Sequence, residues 1–253
     1  MLIGFTVQNF KSFYKESNLS LCATADKEYR GINTFQTKEG DLLKNIIVYG
    51  SNANGKSNLI DALKFAKDFI TSTIDKQTEM AVACPPFLYK SDAKNEPIKF
   101  QASFIKNEIT YDYEFELLNG KIKSERLYKK NKRKNLIFER TSPFWQDIKI
   151  TAEMGDIKKF LNNTREDVLF VTWAAFINNA VAKEILDFFN SITIQNGQGY
   201  VVKEVGDLDS LNKRVDFIKM ADNNITDLDF TASYDELCFY HRMYNDKWEP
   251  SQE

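Results

Sequence analysis

G-S-N-A-N-G-K-S, running from Gly50 to Ser57, is the stretch that decides how the rest of this chain is read. Two glycines with four residues between them, followed by Lys and Ser, form the pattern of a phosphate-binding loop. Gly50 lets the chain turn tightly, and Gly55 lets the backbone come close to a phosphate. Successive N–H groups from about Asn52 onward can then converge on the oxygens. Asn52 and Asn54 tolerate left-handed backbone better than most residues. Lys56 reaches the terminal phosphates as a point charge and is the candidate catalytic residue. Ser57 offers its hydroxyl to the Mg2+ that bridges those phosphates, and the helix beginning there adds the positive end of its dipole. The candidate nucleotide-binding residues are therefore Gly50, Ser51, Asn52, Ala53, Asn54, Gly55, Lys56, Ser57 and Asn58, with Ser57 as the metal ligand.

Outward from the loop, both flanks have the expected character, since the motif is meaningful when a strand precedes it and a helix follows. Asn45 to Tyr49 (N-I-I-V-Y) is a short apolar run suited to a strand buried on both faces. From Asn58 the pattern becomes helical: Leu59, Ala62, Leu63, Ala66, Phe69 and Ile70 form a stripe at three- and four-residue spacing. Asp61, Lys64, Lys67 and Asp68 fall mostly off that stripe.

The 253 residues, 43% hydrophobic and 28% charged, suffice for one sizeable core or two small ones. A net charge of −2 gives the whole molecule no bulk attraction for nucleic acid or acidic membranes, so any such binding needs a local patch. Without eighteen consecutive apolar residues there is no membrane-span signal, and the N-terminus has no basic leader, so a cytoplasmic setting is expected. Cys22, Cys84 and Cys238 are scattered and odd in number, as reduced thiols are. His241 is the only histidine, which excludes a multi-histidine metal site and most His-based triads.

In chain order, Leu2 to Phe10 and Leu19 to Ala23 read as strands, and residues 25 to 41 as a loop. The helix after the phosphate loop ends near Thr73. Asp75 to Asn95 loses periodicity and contains Pro85 and Pro86, which mark a boundary. Strict alternation over Ile109 to Leu117, then Asn119-Gly120, then Lys121 to Tyr128 predicts a hairpin, and Asn135 to Glu139 a third strand. Residues 157 to 192 become helical, with pieces at Val168 to Phe176 and Ala180 to Phe189. Later, Val215 to Ala221 reads as helix, and N-N-I-T-D-L-D-F and Glu236 to Tyr244 as strands. The resulting division is a nucleotide-binding core at 1–80, an antiparallel β-subdomain at 96–150, a helical insert at 151–195, and a return toward the core at 196–253. Lys129 to Lys134 (K-K-N-K-R-K) is a candidate phosphate-backbone contact for DNA or RNA. With no aromatic side chain interleaved for base stacking, a solvated hairpin end is favoured.

Hydrolysis at such a loop also needs a carboxylate after an apolar strand and a group that positions water. Val168 to Trp173 runs into Ala174, and Asp235-Glu236 lacks the apolar run, so neither supplies it. The guanine-reading N-K-x-D is absent as well, which points away from GTP.

V-Q-N-F-K-S-F, a second strand, an apolar strand and G-S-N-A-N-G-K-S-N-L-I-D-A-L together resemble the N-terminal lobe of ABC-type head ATPases of the RecF and structural-maintenance-of-chromosomes kind. More closely, the chain is similar to their compact bacterial relatives, the AAA15/AAA21-like ATPases of overcoming-lysogenization-defect nucleases and phage-defence systems. Y-D-Y-E-F-E-L with K-I-K-S-E-R-L-Y and M-A-D-N-N-I-T-D-L-D-F extend the likeness over most of the chain. The resemblance implies an α/β P-loop NTPase of ABC type, with mixed sheet around the Walker A helix, an inserted antiparallel β-subdomain and a helical insert. It also implies ATP and Mg2+ as ligands, Lys11 and Ser12 near the phosphates, and a second ATPase head as partner in an ATP-sandwiched homo-oligomer. An associated nuclease or effector and an antiviral role are further implications. The family's signature motif and Walker B strand have no counterpart before Glu253, so half of a composite site is expected. The rival expectation is a non-hydrolysing assembly module that uses nucleotide as a structural ligand and docks through its aromatic-rich β-subdomain.

Overall fold

The computed structural model describes residues 1–26, 28–52, 54–131 and 133–195, and the backbone of two later strands, Ile225–Phe230 and Leu237–His241. The centre of the first unit, Met1–Thr193, is one seven-stranded sheet. Its strands are β1 (Leu2–Gln8), β2 (Ser17–Ser20), β5 (Ile98–Lys106), β6 (Ile109–Leu118), β7 (Lys121–Lys130), β8 (Lys134–Arg140) and β9 (Ile148–Ile150). The order is β2-β1-β5-β6-β7-β8-β9, and every neighbouring pair is antiparallel. Between β2 and β5 lie α1 (Arg30–Asn33), the hairpin of β3 (Thr34–Thr37) and β4 (Gly40–Leu43), α2 (Lys56–Thr71) and α3 (Ile74–Ala83). After β9 a kinked 3₁₀ run, Ala152–Asn163, leads to α4 (Phe170–Phe176) and α5 (Ala180–Asn190).

The alternation in the sequence sets the two faces of this sheet. Phe100, Ala102 and Phe104 of β5 and Tyr111, Tyr113, Phe115 and Leu117 of β6 are buried on one side. Their neighbours on the other face carry charge: Arg126 pairs with Glu114 (3.0 Å) and Glu139 (2.8 Å), and Lys134 with Asp112 (2.9 Å). Helix α2 lies on the apolar side because its apolar stripe, together with the partly buried Phe65 beside it, meets the aromatic face of the sheet. Phe65 stacks on Phe100 (5.3 Å between centroids) and Phe69 on Phe115 (5.5 Å), while α5 stacks Phe188 on Phe104 (3.9 Å). Burying Phe69 and Ile70 completely contributes about 1.5–3 kcal/mol for each side chain. The hairpin turn between β6 and β7 is as the Asn-Gly pair predicts, with Asn119 and Gly120 both left-handed (φ 52° and 73°).

Five expectations are corrected. Asn45 to Tyr49 is not a strand: the segment joins neither edge of the large sheet, and Ile47 and Tyr49 are 85% and 91% exposed. An apolar run becomes a buried strand only where neighbouring strands take up its backbone groups, and among the described residues none does. The mixed sheet expected around the loop is, among the described residues, antiparallel throughout. Residues 25 to 41 hold α1 and most of the β3–β4 hairpin rather than loop alone. The stretch after Thr73 forms α3, whose buried face is Gln77 and Ala81, too polar and small to show as a hydrophobic stripe. Nor does the sheet break near residues 75–95, since β1 pairs with β5 from Leu2↔Phe104 to Gln8↔Lys99.

The second unit, Ile194–Glu253, contributes β10 (Ile225–Phe230) and β11 (Leu237–His241), paired antiparallel. The helix expected at Val215 to Ala221 lies outside the described residues.

Candidate phosphate site

Helix α2 starts at Lys56 because Gly55 takes φ +83°, a left-handed conformation that a glycine adopts without penalty. No side chain caps this end, so the first N–H groups of a sixteen-residue helix keep their hydrogen-bonding capacity for an anion. Lys56 arches over the loop, its Nζ donating to the carbonyls of Gly50 (2.8 Å) and Ser51 (2.7 Å). The Ser57 residue beside it is exposed, as are Asn52 and Asn54; Ala53 lies outside the described residues.

A second element closes on the same helix end. Phe10 and Phe13 exchange both backbone hydrogen bonds (2.9 and 2.8 Å), which makes Lys11-Ser12 the tip of a two-residue turn, with Lys11 at φ 48°. The buried Asn9 locks the turn from behind. Its Nδ2 donates to the carbonyls of Ala93 (2.8 Å) and Glu96 (2.9 Å), and its Oδ1 accepts from Phe87 N (3.2 Å). Phe10 anchors it below, packing against Phe65 and Phe100. At the front, Ser12 Oγ accepts from Asn58 Nδ2 (2.9 Å), and Lys11 Nζ pairs with Asp61 Oδ2 (2.6 Å). A Cβ built on Gly55 would stand 2.9 Å from Ser12 Oγ and 3.6 Å from the Phe13 ring. Glycine is thus required at 55 for this turn to dock, beyond any need to admit a phosphate.

Lys11, Ser12, Gly55, Lys56 and Asn58 are therefore brought together, and Ser57 and the Gly50–Ser51 carbonyls adjoin them. Two participants were not singled out from sequence. Asp61, four residues after Ser57, falls off the apolar stripe and carried no assigned role. Asn9 belongs to the quoted N-F-K-S-F, and its left-handed φ of 54° is the kind of position where Asn is favoured.

The far end of α2 is held by buried polar groups. The carbonyl of Phe69 accepts from Gln77 Nε2 (2.6 Å) and that of Ile70 from Thr172 Oγ1 (2.8 Å). Gln77 Oε1 in turn accepts from Leu169 N (3.0 Å). Beside them the buried Glu125 accepts from Phe170 N (2.6 Å), Val171 N (2.9 Å) and Tyr113 OH (2.9 Å), capping α4. Burial raises the Glu125 pKa, against the pull of nearby Arg140 and these donors. Arg140, also buried, spends its guanidinium on the carbonyls of Ser142, Pro143, Arg165 and Val168.

At the basic tip, Lys129 pairs with Glu153 (3.0 Å), Lys130 with Glu39 and Lys134 with Asp112 (2.9 Å). No helix among the described residues is long and apolar enough to cross a membrane.

A glycine-bounded loop, an uncapped helix N-terminus, a lysine arched over the loop and an exposed serine define a P-loop nucleotide-binding protein, and this donor set fits a polyphosphate with Mg2+. Residues 46–226, more than half of the chain, match the family described as "AAA domain, putative AbiEii toxin, Type IV TA system". The chain belongs to that family of AAA-type, nucleotide-binding domains. No curated protein matches it.

Proposed function

We propose that this chain is the ATP-binding lobe of an ABC-type ATPase of the RecF, structural-maintenance-of-chromosomes and overcoming-lysogenization-defect kind. The observation that carries the proposal is the convergence of Lys56, Gly55, Asn58 and the Lys11-Ser12 turn on the N-terminus of α2. In this reading the backbone from Asn52 to Ser57 and the Lys56 ammonium bind the polyphosphate, and Ser12, Lys11 and Asn58 wall it from the side of the sheet. Mg2+, held through the Ser57 hydroxyl, would neutralise phosphate charge. ATP would join this lobe to a second head, and the changed geometry would gate a nuclease or effector. The toxin and toxin–antitoxin wording of the family description supports a defence setting, with DNA processing as the other. Cys22 and Cys84 as free thiols support a reducing, cytoplasmic one.

Lys56→Ala tests the site. Its partners are two carbonyls of an exposed loop, so the variant should keep the parent's melting curve and lose ATP binding in a fluorescence titration. A variant that bound ATP as well as the parent would show the assignment to be wrong.

A further inference from the structure

We propose that Asp61 is a positioning residue of the phosphate site: it holds the Lys11 ammonium beside α2 and yields it to the polyphosphate of a bound nucleotide. The proposal rests on the phosphate-loop reading above and concerns the regulation of that site. Lys11 stands at a turn tip with φ 48°, backbone that a lysine adopts only at a cost, and such strain persists where surrounding structure enforces it. The enforcement is visible on both sides: Asn9 ties the turn to Ala93 and Glu96, and Lys11 N donates to Pro85 O (3.2 Å). The next residue, Ser12, touches Gly55, so residue 11 is one peptide unit from the phosphate loop.

The ammonium nevertheless points along the helix to Asp61, at 2.6 Å. The two side chains are 36% and 44% exposed, so the pair is wet, weak and exchangeable. Asp61 follows Lys56 and Ser57 by five and four residues, which is roughly 6–7.5 Å along the axis at 1.5 Å per residue. A four-carbon lysine stem spans that distance by changing rotamer, with no movement of the turn. A nucleotide polyphosphate carries several negative charges against the single one of Asp61, and attraction scales with the product of the charges. Lys11 therefore transfers when a polyphosphate arrives, and Asp61 sets how strongly it resists.

The test is a double-mutant cycle on ATP and ADP affinity, using Asp61→Asn, Lys11→Met and the double variant, with Asp61→Glu as the conservative control and Lys56→Ala as the site control. Asp61→Asn should bind ATP about two- to fivefold more tightly, the scale of an exposed ion pair, with a smaller gain for ADP. Lys11→Met should remove that gain, Asp61→Glu should match the parent, and the gain should shrink as salt is raised. A permanent brace would move melting temperature without this nucleotide-selective change. Unchanged or weaker ATP binding by Asp61→Asn, or an equal gain in the Lys11→Met background, would overturn the proposal while loss of binding in Lys56→Ala left the site reading standing. Retention of ATP binding by Lys56→Ala would overturn the site reading itself.

Discussion

Gly55→Ala should destabilise the protein through two separable effects, and Ser12 distinguishes them. The first is conformational: at φ +83° an alanine pays roughly 1–2 kcal/mol that glycine does not. The second is steric, since the new methyl would stand 2.9 Å from Ser12 Oγ, closer than such atoms approach. Ser12 cannot retreat freely, because its oxygen accepts from Asn58 and its turn is fixed by Asn9 and Phe10. Relieving the overlap means giving up the Asn58 hydrogen bond and shifting the turn, at about 1–2 kcal/mol more. Ser12→Ala removes the offending oxygen and costs only the hydrogen bond, about 1 kcal/mol. Urea unfolding of parent, both single variants and the double should give a double variant about 1–2 kcal/mol better than the sum of the singles, a coupling typical of residues in contact. If the two costs simply added, Ser12 would not be packed against the phosphate loop, and the account of how the N-terminal turn docks would be wrong.

Asn9→Ala should cost about 2–4 kcal/mol in the same assay, because it strands the buried carbonyl of Ala93 and the partly buried one of Glu96 and puts alanine at φ 54°; a loss below 1 kcal/mol would count against Asn9 as the lock. Glu125 predicts a pH dependence. Burial raises its folded pKa above the ordinary 4.5, so its contribution to stability is full below about 4.5 and fades as pH rises through the raised value. Glu125→Gln, which cannot titrate, should lose a hydrogen bond to α4 yet show a flatter decline in unfolding free energy across that window. Identical slopes for parent and variant would refute the assignment. Asp167 and Glu96, whose pKa values are lowered, act in the opposite direction and at lower pH, so they leave the window clear.

What could be read from sequence follows from how local each signal is. The phosphate loop and the α2 stripe are contiguous, and the alternation of β6 with Asn119-Gly120 fixes a hairpin by period and turn chemistry alone. Lys11 and Ser12 were placed near the loop only through resemblance, because nothing in residues 9–14 announces that a turn packs on a glycine more than forty positions away. Helix α3 escaped because its buried face is Gln77 and Ala81, and a buried glutamine is recognisable only once Phe69, Thr172 and Leu169 surround it. Asn45 to Tyr49 failed for the converse reason: composition says that a segment is suited to burial in a sheet, while pairing decides whether it is there.

The placement of α2 shows what the polar contacts add to an aromatic core. Phe65 and Phe69 on Phe100 and Phe115 hold the helix to the sheet, but stacking tolerates sliding by a fraction of an ångström at little cost. Directional bonds do not. Asn58 to Ser12 and Lys11 to Asp61 fix the N-terminal end, and Gln77 and Thr172 on the Phe69 and Ile70 carbonyls fix the other. Thr172 belongs to α4, whose start is capped by Glu125, so α4 is tied to the same helix whose opposite end carries the phosphate loop. The two locks differ in kind. The distal bonds are fully buried and leave unsatisfied groups when broken, whereas the proximal ones are partly exposed and can be exchanged for a ligand. A displacement driven by nucleotide would therefore begin at the Lys11-Ser12 end and pivot about Gln77, so weakening the Gln77 contacts should blunt any response of α4 to ATP.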